Sequence, residues 1–289
     1  MDVIFQQCEA MIRKGSSSFY HAFRGLPSPR REAVYVIYAF CRLIDDSVDE
    51  PENSPYSIFE LRSHFSELER AEGHFIWPAL RWLFETFPQL DQGPFLRQIE
   101  GQLSDLIVTR YTTMMELENY CYLVAGTVGE MLLPVLRDDR DASCTAAGIA
   151  LGKGMQLVNI MRDVGEDKRR GRRYIPMELM ARHGYSEEDY SGERVNPAFI
   201  SMMNELKDRA MVFLRLGLTF LETYPPASGL AVELAAVFYY SIIQSIEENG
   251  FDVFGQRAYV SDEQKLRLYV SVASRYAAIG NTGKAAASL

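Results

Sequence analysis

Apolar residues recur along this chain at spacings of three and four, and no alternating run is long enough to make a strand. Residues 2–14 form an amphipathic helical pattern with Val3, Phe5, Met11 and Ile12 as its apolar points, broken at Gly15-Ser16-Ser17-Ser18-Phe19. Three consecutive hydroxyls suit a helix start or an anion cradle. Leu26-Pro27-Ser28-Pro29 opens the next helix, with Ser28 expected as N-cap and Pro29 at the first helical position. Pro51 and Pro55 close it. Between 57 and 109, breaks at Gly73, Pro88 and Gly93-Pro94 predict three antiparallel helices with short connections.

The apolar helix that follows carries Gly126 and Gly129, each costing about 1 kcal/mol relative to Ala. Either a ligand or a second helix must approach closely there. A helix is expected from about Asp141 to Asp167, closed by the basic turn Gly171-Arg172-Arg173-Tyr174-Ile175-Pro176. From residue 196 three long helical patterns follow, broken at Pro225-Pro226 and around Gly250. No linker divides the pattern, so the expectation is all-α, one helical bundle spanning 1–289.

Composition narrows the function. The 289 residues are 47% hydrophobic, enough for a sizeable core, and the formal net charge of −9 argues against nucleic acid as a partner. Cys8, Cys41, Cys121 and Cys144 are scattered, with no pairing that suggests zinc or a disulfide framework. The first residues lack the basic and apolar regions of a signal peptide, and the most apolar stretches, interrupted by Glu130 and Glu233, read as core helices. A cytoplasmic location is the expectation.

Two acidic stretches carry the chemistry. In the first, Asp45 and Asp49 stack one turn apart on a helix, and Tyr35, Tyr38 and Arg42 share the same arc of roughly 80°. In the second, Gln156, Asn159, Asp163 and Asp167 occupy an arc of similar width. Like charges at this spacing repel by about 0.2–0.5 kcal/mol, and Asp and Asn are poor interior helix residues. A divalent cation removes the conflict. Hard oxygen donors without His or Cys favour Mg²⁺, which takes one or two carboxylates and completes its shell with water and phosphate oxygens. The basic residues nearby suit the charge of a diphosphate. The four His lack the Glu-x-x-His pairing of a di-iron bundle, Gly152-Lys153-Gly154 lacks a dinucleotide fingerprint, and an EF-hand loop from Asp45 fails at Glu50 and Tyr56.

From Ser16 to about Arg257 the chain resembles the squalene/phytoene synthase family of head-to-head prenyl transferases. The resemblance rests on Asp45-Asp46-Ser47-Val48-Asp49, on Tyr120 through Gly129, on Asn159-Ile160-Met161-Arg162-Asp163-Val164-Gly165-Glu166-Asp167, and on Gly171 through Pro176, in matching order and spacing. Length and the Arg-Asp-Val-Gly-Glu-Asp segment are most like the bacterial dehydrosqualene synthases of that family; phytoene synthases share the segment.

The resemblance implies the class I terpenoid synthase fold with a central active-site cavity, and Mg²⁺ held by Asp45, Asp49, Asn159, Asp163 and Asp167, with the four aspartates as catalytic residues. It implies that one allylic diphosphate ionises, that the second substrate's double bond attacks the cation, and that the resulting cyclopropyl intermediate ionises, rearranges and loses a proton. Ser16, Ser18, Tyr38, Arg42, Gln156, Arg162, Tyr239 and Arg257 match the family's substrate contacts, and Ser17 and Phe19 adjoin them; Gly15 departs from a polar residue in the family. Phe19 and Phe23, four residues apart, share a helix face and are expected to floor the pocket. The missing dinucleotide fingerprint favours proton loss over hydride from NADPH, so the expected product is dehydrosqualene from farnesyl diphosphate, with squalene and phytoene synthase activity as alternatives. A lipidic product implies peripheral association with a membrane and a downstream desaturase. A noncatalytic helical scaffold is the rival from another class, and it leaves Asn159 and Gln156 on the acidic face unexplained.

Overall fold

The computed structural model describes residues 1–138 and 141–286. The order is α1 (Asp2–Gly15), α2 (Ser17–Phe23), α3 (Arg30–Asp49), α4 (Ile58–Ser66), α5 (Ile76–Thr86), α6 (Gly93–Ser104), α7 (Met114–Cys121), a π-turn at Tyr122–Gly126, α8 (Thr127–Leu136), α9 (Ala142–Arg162), α10 (Val164–Arg169), α11 (Met177–His183), α12 (Glu187–Ser191), α13 (Pro197–Gly217), α14 (Pro226–Glu248) and α15 (Asp262–Ala286). Among the described residues the only bridge outside helices joins Arg110 and Arg173. The fold is an all-helical domain. The central α9 packs against α8, α13 and α14, α3 lies against α1, α5 and α8, and α14 is covered by α2 and α15.

Local chemistry sets the boundaries. Ser16 ends α1 in extended conformation and caps α2, its Oγ accepting the Phe19 N–H at 3.3 Å. The start of α3 differs from expectation: Pro29, not Ser28, holds the cap position without a side-chain cap, and the main-chain carbonyls of Pro27 and Pro29 accept the N–H groups of Arg31 and Ala33. The three helices expected between 57 and 109 are α4, α5 and α6. The short α11 and α12 fill a segment whose periodicity is too brief to read.

Gly126 serves helix packing, and Gly129 both packs on the facing helix and lines the cavity inside the bundle. A Cβ on Gly129 would stand 2.2 Å from the Gly148 carbonyl oxygen, and one on Gly152 would stand 2.1 Å from that of Ala125. Backbone therefore meets backbone where α8 and the π-turn cross α9. The single helix expected from Asp141 to Asp167 is broken at Asp163, which takes φ −103° and ψ 14°. Beyond the break the Gly165 N–H donates to the Val253 carbonyl at 3.2 Å, and a side chain at 165 would strike the Phe254 backbone. Docking on the 251–254 loop turns the chain out of the α9 axis.

By length and composition α14 is apolar enough to cross a membrane, yet most of that stretch is buried against its neighbours, as expected of a core helix.

Candidate active site

One cavity of about 420 Å³ runs into the bundle between α2, α3, α6, α8, α9 and α14. Its inner wall is apolar: Phe19, Phe23, Val34, Ile37, Val124, Val128, Leu132, Met155 and Val232 among others. Its mouth is ionic. Tyr38, Arg42, Asp45 and Asp49 reach it from α3; Gln156, Asn159 and Arg162 from α9; Asp163 from the helix break; Asp167 from α10; Tyr239 from α14; and Arg257 from the loop before α15. The two acidic stretches, more than a hundred residues apart, thus face one opening. Tyr35, on the same arc of α3, packs on Tyr20 instead, with ring centroids 6.3 Å apart, and does not line the cavity.

The three serines stand at the N-terminus of α2 beside Gly15, which does line the cavity, but are not themselves in its wall. Ser16 is occupied in capping, and the Ser17 Oγ accepts from Lys265 Nζ at 2.7 Å. Gly15 has its own packing reason: a Cβ there would lie 2.4 Å from the Tyr38 hydroxyl.

Asp45, Asp49 and Asp163 at the mouth each have a partner from a distant part of the chain. Asp49 accepts from Arg172 at 2.6 Å and Arg170 at 2.5 Å. Asp163 accepts from Nε of both Arg162 and Arg257 at 2.8 Å. Asp45 accepts from Gln102 Nε2 at 2.9 Å and lies 3.7 Å from Arg42, whose closer partner is Asp46. Gln98 and Gln102, four apart and almost fully buried on α6, went unread in the sequence, although two glutamines on an apolar helix face followed by Asp105 were a usable signal.

The carboxylates divide by environment. Burial alone would raise Asp163, but hydrogen bonds and charge from Arg162 and then Arg257 win and hold it below the usual range. Asp45 is pushed up to about 7, by burial and then by the charge of Asp49; 40% of its side-chain surface stays accessible, within the mouth. Asp167 rises to about 8, by burial and then the charges of Asp163 and Glu166. The arginines nearby only partly offset this crowding. The Asn159 Oδ1 is buried without a hydrogen-bond partner, which leaves it free to face a metal, while the Tyr239 hydroxyl hydrogen-bonds the same side chain. Among the described residues no three acidic, imidazole or thiol groups gather about one point.

An apolar pocket closed by helices, with facing acidic helices and arginines at its mouth, fits a substrate that joins a phosphate-bearing end to an apolar tail. The sequence pattern of the family described as squalene/phytoene synthase matches residues 12–264. The chain belongs to that family, and it is a prenyltransferase. It is 37% identical over 278 residues to a phytoene synthase of Arthrospira platensis, covering 91% of this chain and 90% of that one. It is 35% identical over 267 residues to a phytoene synthase of Thermus thermophilus, covering 89% and 88%. A crystal structure of a dehydrosqualene synthase in complex with ligand superposes with a TM-score of 0.89 at 31% identity, over 96% of this chain and 98% of that one. The family condenses prenyl diphosphates head to head and uses a divalent metal to bind the diphosphate.

Proposed function

We propose that this chain joins two molecules of farnesyl diphosphate into dehydrosqualene through a cyclopropyl intermediate, with Mg²⁺ as the metal. The observation that carries the reading is the pairing of Asp45 and Asp49 with Asn159, Asp163 and Asp167 across the mouth of one apolar cavity. Those five residues would hold the metal, which when bound supplies positive charge to the leaving diphosphate. Arg42, Arg162, Arg170, Arg172 and Arg257 ring the same opening and bring further positive charge to the diphosphate oxygens. Tyr38 and Tyr239 stand where this polar rim meets the hydrocarbon wall. The wall keeps water from the cations. The ring pair Phe19 and Phe23, with centroids 5.5 Å apart, takes up space in the cavity wall, which supports the shorter substrate.

The kinship with phytoene synthases favours geranylgeranyl diphosphate as a second reading. Either hydrocarbon product partitions into lipid, which supports a cytoplasmic enzyme working peripherally at a membrane, with a desaturase acting next. The test is to incubate purified protein with each diphosphate, Mg²⁺ and optional NADPH, and to identify the extracted hydrocarbon by mass and ultraviolet spectrum. A C30 product with a conjugated central triene, unchanged by NADPH, is expected. A C40 product from geranylgeranyl diphosphate alone, or squalene on adding NADPH, would overturn the assignment.

A further inference from the structure

Asp105 occupies a costly position that the ionic mouth does not explain. It caps the C-terminus of α6, where the helix dipole disfavours negative charge, and it is only 5% exposed. Burial pushes its carboxyl up to about 6. Its Oδ1 has no hydrogen-bond partner, while Oδ2 accepts from the Tyr120 hydroxyl at 2.8 Å and the Tyr174 hydroxyl also hydrogen-bonds the carboxyl, the two phenols working against the effect of burial. Tyr120 in turn lies 3.2 Å, oxygen to oxygen, from Tyr174, and the two rings stack with centroids 4.9 Å apart. All three residues line the cavity between the acidic mouth and its apolar wall.

Proton counting gives this trio a direction. A phenol has one proton to donate, and a carboxylate only accepts. The shorter, charge-assisted contact takes the Tyr120 proton, which leaves the Tyr174 proton for the carboxylate that Tyr174 also hydrogen-bonds or for the Tyr120 oxygen. Either way both O–H bonds point towards the buried charge. The oxygen lone pairs left over are those turned away from Asp105. Dipoles aligned in series on an anion reinforce one another.

We propose that Asp105 is a positioning residue, whose carboxylate locks the hydroxyls of Tyr120 and Tyr174 so that oxygen lone pairs, not hydrogens, face the carbocations formed in the cavity. Fixed dipoles aimed at developing charge need no reorganisation during reaction, so the effect falls on turnover and not on binding. This proposal rests on the cationic chemistry proposed above; turnover of prenyl diphosphate by the parent enzyme tests that chemistry separately.

The experiment is a double-mutant cycle in the full-length enzyme with Mg²⁺, reading kcat and KM of Asp105→Asn, Tyr120→Phe and the double variant, with folding checked by thermal melting. Asp105→Asn keeps the size of the side chain and removes its charge. Its kcat should fall on the order of tenfold or more while KM stays within about twofold. In the Tyr120→Phe background the same change should cost clearly less, because one of the two hydroxyls it orients is gone. An equal loss in both backgrounds, or a loss confined to KM, would overturn the proposal. Should Asp105→Asn fail to fold, Tyr174→Phe gives the second arm: its loss of kcat should shrink in the Tyr120→Phe background, and an unchanged loss there rejects the coupling of the two hydroxyls.

Discussion

Replacing Phe23 with alanine tests how the cavity measures its substrate. Phe23 is 3% exposed, yet one side of its ring faces the cavity and the other packs in the core beside Phe19. A fully packed Phe→Ala change costs about 3–5 kcal/mol. Here part of the ring already lacks neighbours, so a loss near the lower end, roughly 3 kcal/mol, is expected. The change removes a six-carbon ring, and one added isoprene unit brings five carbons. If the longer tail fills that space, at about 0.8 kcal/mol for each buried carbon, it gains up to ~4 kcal/mol, a ceiling near 10³-fold in selectivity. Imperfect filling should leave a shift on the order of tenfold to a hundredfold towards geranylgeranyl diphosphate. The assay offers both diphosphates in competition and compares C40 with C30 hydrocarbon for parent and variant, alongside their melting temperatures. A variant that loses stability but keeps the parent's preference would remove Phe23 from the substrate wall and leave it as ordinary core.

Asp45→Asn and Asp163→Asn should each lower turnover on the order of 10²-fold or more with the helical content unchanged by circular dichroism; parent-like turnover in a folded variant would sink the metal assignment at that position. Gly129→Ala should destabilise by roughly 1–3 kcal/mol, because its Cβ meets the Gly148 carbonyl, whereas Gly25→Ala enters open space; equal melting temperatures for both would contradict the close crossing. In metal-free buffer the folded protein holds protons on Asp45 and Asp167, at about 7 and about 8, that the unfolded chain has released above about pH 4. Their contribution to stability therefore falls as pH rises from about 4 to about 8. Asp163 is held low, gives up its proton below that window and does not oppose the trend. The melting temperature in chelator should drop between pH 5 and 8, and Mg²⁺ should flatten the drop; a rise with pH, or a slope indifferent to Mg²⁺, would contradict this account of the mouth.

The sequence by itself determined the helical character of the chain and the positions of its two acidic faces. Both are periodic properties: a turn of 3.6 residues converts spacings such as Asp45 to Asp49, or Asn159 to Asp163, directly into a shared face. Hard oxygens crowded without His or Cys also point to a divalent cation and a phosphate-bearing substrate. What the tertiary structure alone decided are relations between distant positions. Arg172 meets Asp49 across 123 positions, and Gln102 meets Asp45 across 57. No periodicity encodes such pairs. The break at Asp163 belongs to the same class, since Gly165 leaves the α9 axis to satisfy its N–H on Val253, a partner from the far end of the chain. Gly126 and Gly129 were equally compatible with a ligand groove and a helix crossing, because a glycine's sequence context does not say which backbone comes near it. Asp105 shows the limit most plainly. In the sequence it is one acid at the end of a helix, and only the folding of Tyr120 and Tyr174 against it gives its charge a direction.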